Sequence, residues 1–262
     1  MWGWFPGGMI CRVTSPYAQD GFAAGFDWGP VGAEVVAGDI VAVVDVLSFT
    51  TAVTVAVDRG IDVYPYRWRD ESAVGYAEQY GATLAVGRSA AGPDGVSLSP
   101  ASIRRVTGIT KLVLPSPNGS TIAKQLSDTG ATVVAVSLRN RRAAADWVAQ
   151  QIAHGADRRP RVVAIAAGER WRDGSLRPAV EDLWGAGGFL SALGADGLSP
   201  EARAAVATYD VVADELPTLL HECAGGRELT QYGFAEDVAI AAEVDTSDVV
   251  PVLVNGRLFR ST

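Results

Sequence analysis

Short β-branched runs alternate with stretches of helical periodicity along most of the chain. Residues 40–46 form a β-branched run, and residues 62–66, 82–86, 111–114, 132–136 and 161–166 read as further strands. Between them, residues 71–80, 120–127, 141–154 and 180–193 carry helical patterning, and the loop after residue 45 leads into another helix. Residues 89–100 are rich in Gly, Pro and Ser and read as a loop. Near the C-terminus, residues 250–254 and 257–259 flank Asn255-Gly256, a type I′ hairpin signal. Strand–helix repetition of this kind predicts a three-layer α/β/α fold with a largely parallel sheet, and the closing hairpin makes that sheet mixed. We expect a single domain over residues 1–262, with residues 1–38 supplying an N-terminal extension and the first strands. Residues 1–8 read as a leader, with Met9 an alternative start.

Composition narrows the function. The chain has 22 Lys and Arg against 30 Asp and Glu, a formal charge of −8, which argues against a nucleic-acid surface. Lys111 and Lys124 are the only lysines, so arginine carries nearly all positive charge, and an anionic substrate needs a local positive field. Cys11 and Cys223 lie outside any CxxC spacing and His154 and His221 are far apart, so zinc is not expected. No apolar run reaches the length of a membrane span and no secretory signal stands out, so a cytoplasmic location is expected. A homodimer is compatible with this composition.

In open α/β sheets ligands collect at the carboxyl ends of the strands. Asp45 ends the first apolar run. Its carboxylate can hold Mg²⁺ or act as nucleophile, with Thr50 and Thr51 in the first helical turn near an anion; equally, Asp45 simply ends a strand and Thr50 caps a helix. The turn Asn118-Gly119-Ser120-Thr121 has the parts of a phosphate cradle, namely a glycine for close approach, two hydroxyls and helix-start N–H groups. An ordinary capped turn reads the same way. Arg139 can offer a planar fork to phosphate and Asn140 can cap or bond substrate, while Arg141 and Arg142 read as solvent-facing. Glu181 and Asp182 start a helix, where acids contribute ~0.3–1 kcal/mol through the dipole; facing Asp45 they would also be hard oxygen ligands for Mg²⁺. Glu236-Asp237 permits the same two readings.

Familiar phosphoryl-transfer and hydrolase motifs are missing. There is no GxxxxGK[ST] and no GxSxG. The Asp-x-Asp pair of haloacid dehalogenase-type phosphatases is broken, because Leu47 stands at its second position.

Taken in order, Asp45-Val46-Leu47 with Thr50-Thr51, Ser99-Pro100, Asn118-Gly119-Ser120-Thr121, Ser137-Leu138-Arg139-Asn140, Ala167-Gly168, Glu181-Asp182 with Ala186-Gly187, and Gly233-Phe234 with Glu236-Asp237 and Asp245 resemble the 2-phosphosulfolactate phosphatase (ComB) family. The resemblance spans about residues 40–251. It implies Mg²⁺-dependent hydrolysis of a small anionic phosphate ester, 2-phosphosulfolactate, on the route to coenzyme M. It also implies Asp45, Asn118 and Arg139 as catalytic groups, and Asp45, Glu181 and Asp182 as metal ligands. Ser48, Thr50, Thr51, Arg88, Gly119, Ser120, Thr121 and Asn140 would then bind substrate or phosphate. Three departures stand out. The family usually has Arg where this chain has Ser48, its Gly-Glu pair appears as Gly87-Arg88, and its Gly-Asn-Ser-Pro loop appears as Val96-Ser97-Leu98-Ser99-Pro100.

Overall fold

A computed structural model of the chain describes residues 15–67, 70–92, 95–155 and 159–261. The expected leader, Met9 and Cys11 lie outside them. The first half runs β1 (Ala24–Trp28), α1 (Gly29–Val35), β2 (Ile40–Val44), α2 (Phe49–Asp58), β3 (Asp62–Tyr66), α3 (Ser72–Tyr80), β4 (Thr83–Leu84), α4 (Pro100–Arg105), β5 (Lys111–Pro115) and α5 (Gly119–Leu126). Next come β6 (Thr132–Val136), α6 (Arg141–His154), β7 (Val162–Ala166), the short strands β8 (Glu169–Arg170) and β9 (Leu176–Arg177), and α7 (Val180–Leu193). The chain closes with α8 (Pro200–Val212), α9 (Leu216–Glu222), α10 (Ala224–Gln231), α11 (Ala235–Ala241), β10 (Pro251–Val254) and β11 (Arg257–Arg260).

Among the described residues one nine-stranded sheet has the order β1-β7-β2-β6-β10-β11-β3-β5-β4. β2 is paired in parallel on both sides, with Val43 opposite Ala135 of β6 and Ile165 of β7. All five of its residues are buried, which is why it reads as an unbroken apolar run rather than an alternating one. Alternate side chains still face opposite layers. Ile40, Ala42 and Val44 join Val134, Val136 and Ala164 beneath Val148 of α6, Phe189 of α7 and Ala205 of α8. Val41, Val43, Val133 and Ile165 pack instead against Ala33 of α1 and Ile122 and Leu126 of α5. Toward the other edge, Val63, Leu112 and Leu114 pack with α2 and α4, while Tyr64 and Val113 pack with α3. Helices therefore cover both faces, as the strand–helix pattern predicts.

The hairpin forms as expected, with Asn255 and Gly256 at φ 51° and 79°. It fills the middle of the sheet, β10 antiparallel to β6 and β11 antiparallel to β3. Two expectations are corrected. The strand at 82–86 shrinks to the edge pair Thr83–Leu84. The loop at 89–100 ends in a helix, α4, started by Pro100 and capped by Ser99, whose side chain accepts the Ser102 N–H at 3.2 Å. Residues 200–241, to which the pattern assigns no element, form α8 to α11. Among the described residues no helix is long and apolar enough to cross a membrane.

Candidate active site

Four strands separate β2 from β5 in the sheet, yet the loops at their carboxyl ends meet. Gly119 N–H donates to Asp45 Oδ2 at 2.8 Å, and Phe49 N–H donates to Asp45 Oδ1 at 3.0 Å. The first turns of α2 and α5 thus converge on one carboxylate. Glycine is required at 119: a Cβ there would lie 2.4 Å from Phe49 Cδ1 and 2.7 Å from Asp45 Oδ2. Burial pushes the Asp45 carboxyl up to about 6 against the pull of the two N–H bonds, and the nearby Glu169 and Glu181 push the same way.

Glu181 and Asp182, in the first turn of α7, lie close enough to Asp45 to act on it electrostatically. Asp182 takes the Val46 N–H at 2.7 Å and the Gly168 N–H at 2.9 Å, so it ties the loops after β2 and β7 together. Its carboxyl is raised by burial first, then by Asp45 and Glu181. Glu181 is raised mainly by burial, and its Oε2 is a buried oxygen with no hydrogen-bond partner. Beside it, burial and Glu181 push the Cys223 thiol up to about 12, which leaves it a poor nucleophile. Among the described residues no three His, Cys, Asp or Glu side chains are gathered into a complete metal site. Mg²⁺ commonly takes only one or two carboxylates, completing its shell with water and phosphate oxygens. An orphaned carboxylate oxygen among mutually repelling buried acids fits such a cation.

A cavity of about 610 Å³ opens onto Asp45. Leu47 and Ser48 follow β2 into its wall, and Ser116, Pro117 and Asn118 follow β5. The β8–β9 hairpin contributes Glu169, Arg170, Trp171, Arg172 and Arg177, and α10 contributes Ala224 and Glu228. Arg88 and Leu98 complete the lining from the β4–α4 connection. Four arginines here meet three carboxylates, a local positive balance in a chain of net charge −8. A second cavity, of about 680 Å³, shares Asn118, Glu169 and Arg170 but does not reach Asp45.

The structure brings some expected residues together and sets others apart. Asp45, Ser48, Arg88 and Asn118 line the cavity. Arg88 donates to Ser48 Oγ at 2.6 Å and pairs with Asp237 at 3.1 Å. Asp237 also accepts from the Ser99 hydroxyl and the Ala101 N–H, so it anchors Arg88 and the start of α4 together. The hydroxyls of the cradle turn inward. Ser120 donates to the Leu114 carbonyl at 3.0 Å, Thr121 to Pro117 at 2.8 Å, Thr50 to Asp45 at 2.8 Å and Thr51 to Val46 at 2.7 Å. Each satisfies a backbone carbonyl at or near the end of its strand and so fixes the loop.

Arg139 and Asn140 lie elsewhere. Arg139 is buried, with Nη2 3.1 Å from Asp58 and Nη1 bonded to Glu243. Asn140 bonds the carbonyls of Ala135 and Val249 and accepts the Ser137 N–H. Asn140 is fully engaged in holding the β6–α6 corner, and Arg139 is tied there by both terminal nitrogens, its buried Nε having no partner. Arg141 is likewise not solvent-facing: it pairs with Asp245 at 2.6 Å and stacks over Tyr209.

Sequence reasoning passed over Glu169, whose Oε1 accepts from Asn118 Nδ2 at 3.0 Å, and over the hairpin arginines. The available signal was positional. Gly168, at φ 65°, turns the chain directly after a buried strand, and charged residues follow it.

A model of the 2-phosphosulpholactate phosphatase family matches residues 32–256. A probable 2-phosphosulfolactate phosphatase of Carboxydothermus hydrogenoformans is 29% identical over 234 residues, covering 84% of this chain and 92% of that protein. A protein of the same description from Thermosynechococcus vestitus is 28% identical over 249 residues, covering 89% and 93%. One from Microcystis aeruginosa is 25% identical over 234 residues, covering 82% and 88%.

Proposed function

The chain belongs to the 2-phosphosulfolactate phosphatase family and is a phosphoric monoester hydrolase, and on that premise we propose that the cavity over Asp45 hydrolyses 2-phosphosulfolactate to sulfolactate and inorganic phosphate with the help of Mg²⁺. The observation that carries this reading is Asp45 itself. It is the cavity carboxylate on which two helix starts converge, with a carboxyl raised to about 6.

A group poised near neutral pH suits proton transfer. Both Asp45 oxygens already accept a backbone N–H, which spreads their charge and favours handling the proton of an attacking water over direct attack on phosphorus. Hydrolysis breaks the ester P–O bond; water supplies the new oxygen on phosphorus and keeps one proton there, and its other proton passes by way of Asp45 to the departing alkoxide, which restores the carboxylate. Asn118, fixed by Glu169, orients the phosphoryl group, and Arg88 offers charge-assisted hydrogen bonds to its oxygens. Glu181, through its unpartnered Oε2, would hold Mg²⁺ beside Asp45, with Asp182 fixing the loop that carries Asp45; when bound, the ion supplies positive charge against the phosphoryl oxygens. Cys223 takes no part, since its thiol stays protonated.

The test is phosphate release from 2-phosphosulfolactate and a panel of phosphorylated hydroxy acids, in Mg²⁺ and in EDTA. Release that EDTA stops and Mg²⁺ restores is the expected result. Release indifferent to EDTA removes the metal from the reading, and no release from any ester removes the reading itself.

A further inference from the structure

Most arginines described in the structure that meet a carboxylate do so away from the cavity. Arg104, Arg105, Arg139, Arg141, Arg161 and Arg257 each have an acidic partner within ion-pairing distance. Inside the cavity Arg88 is paired too, with Asp237. The three guanidinium groups of the β8–β9 hairpin are different. Arg170 donates to the Gly174 carbonyl at 3.0 Å, Arg177 lies 5.7 Å from the centre of the Trp171 ring, and Arg172 is exposed. Among the described residues none of the three has a carboxylate within ion-pairing distance, although all line the cavity.

The acids near them are used by other groups. Asp173, at the hairpin tip, accepts from Ser175 N–H at 2.9 Å and Ser175 Oγ at 2.6 Å. Glu169 accepts from Asn118 and from the Arg170 N–H at 2.9 Å. The hairpin is itself fixed by the Trp171 N–H to Ser175 carbonyl bond at 2.9 Å, and Asn118 ties its base to the loop after β5. Arg177 lowers the Glu181 carboxyl through its charge, but without a direct ion pair, and the four arginines of the cavity still outnumber its three carboxylates. Three cations on a braced hairpin, none bonded to a carboxylate, call for anions from the ligand.

We propose that Arg170, Arg172 and Arg177 form a subsite for the acid groups of the substrate that are not transferred, the carboxylate and sulfonate of 2-phosphosulfolactate. This rests on the phosphatase reading for its substrate but not for its charge argument. Phosphate is handled at Asp45, Asn118 and Arg88, and the acid tail at the hairpin. The hairpin therefore sets which phosphate esters are accepted, and an ester without acid groups gains nothing from it.

The experiment compares the wild type with an Arg170→Ala/Arg172→Ala double variant, both exposed positions, on 2-phosphosulfolactate and on isopropyl phosphate. A lost charge-assisted bond costs about 10- to 100-fold in binding. The expected loss in kcat/KM is at least about tenfold larger for 2-phosphosulfolactate than for isopropyl phosphate, and it falls on KM rather than kcat. Equal losses on both esters, or none, overturn the subsite. Titration calorimetry with sulfolactate separates the two readings. Binding that weakens at least about tenfold in the double variant supports the subsite even if the wild type releases no phosphate, in which case the phosphatase reading alone fails. Sulfolactate binding that is absent in the wild type, or equal in both proteins, overturns the subsite and leaves phosphatase activity standing.

Discussion

Arg88 Nη2 stands 2.6 Å from Ser48 Oγ while its Nε reaches Asp237 at 3.1 Å. The two positions lie 40 residues apart, and both depart from the pattern of the family that the chain resembles, which has Arg where Ser48 stands and Glu where Arg88 stands. In space the two departures touch. The Arg88 guanidinium reaches the side chain of position 48 itself, and the small Ser48 side chain leaves room for it.

A charge-swap series follows from this relationship. Arg88→Glu should lower kcat/KM by about 100-fold or more, because it removes a cation and sets a second acid against buried Asp237. Adding Ser48→Arg should recover at least about tenfold of that loss. Steady-state kinetics on the three proteins reads the coupling, and additive losses would show that the two positions act independently.

Gly119 makes a steric prediction. With Phe49 Cδ1 and Asp45 Oδ2 inside contact distance of any Cβ, Gly119→Ala forces the α2 and α5 starts apart. Overpacking of this kind costs about 1–3 kcal/mol. Urea denaturation should show a loss in that range, and turnover should fall further than stability does because Asp45 loses an N–H partner.

Arg139 should behave as a structural residue. Its guanidinium bridges Asp58 and Glu243, and Arg104 holds the same Glu243 at 2.8 and 2.7 Å. Arg139→Ala should destabilise by about 1.5–3 kcal/mol, the worth of lost charged hydrogen bonds, since Asp58 and Glu243 are partly exposed and Glu243 keeps Arg104. The KM of the protein that remains folded should stay near the wild-type value. A large rise in KM with unchanged stability would return Arg139 to the substrate.

The same cluster sets a pH window. Hydrogen bonds from Arg104, together with the charge of Arg139, hold the Glu243 carboxyl below its ordinary 4.5. A carboxyl depressed in the folded state stabilises fully above its unfolded pKa and loses that contribution as pH falls through the folded value. The stability gap between wild type and Glu243→Gln should therefore be flat above about pH 5 and close below about pH 4.5. Denaturation midpoints across that range measure it.

The sequence disclosed what local physics determines. The run at Ile40–Val44 is apolar because both faces of β2 are covered, and Asn255-Gly256 marks its hairpin because few other residues tolerate two positive φ values. Asp45 and Asn118 were legible as strand-end polar groups, and the structure places both in one cavity. The insertion of β10 and β11 between β6 and β3 was not legible, since a hairpin pattern carries no information about its partners. Nor was the orientation of side chains: Ser120, Thr121 and Asn140 have the chemistry of phosphate binders, but each satisfies a nearby carbonyl instead. The placement of Arg139 was hidden for a related reason. Its acids, Asp58 and Glu243, are 81 and 104 residues away.

The rate of phosphate release from 2-phosphosulfolactate in the presence of Mg²⁺, wild type against Asp45→Asn, addresses the centre of this account. Asparagine keeps the shape and one acceptor for the helix-start amides but cannot take a proton. Loss of a positioned acid–base group predicts a fall in kcat of about 10²- to 10⁴-fold with an unchanged circular dichroism spectrum. A variant that turns over within about threefold of the wild-type rate, a loss far below what a positioned acid–base group supplies, would contradict the assignment of Asp45 as the reacting carboxylate.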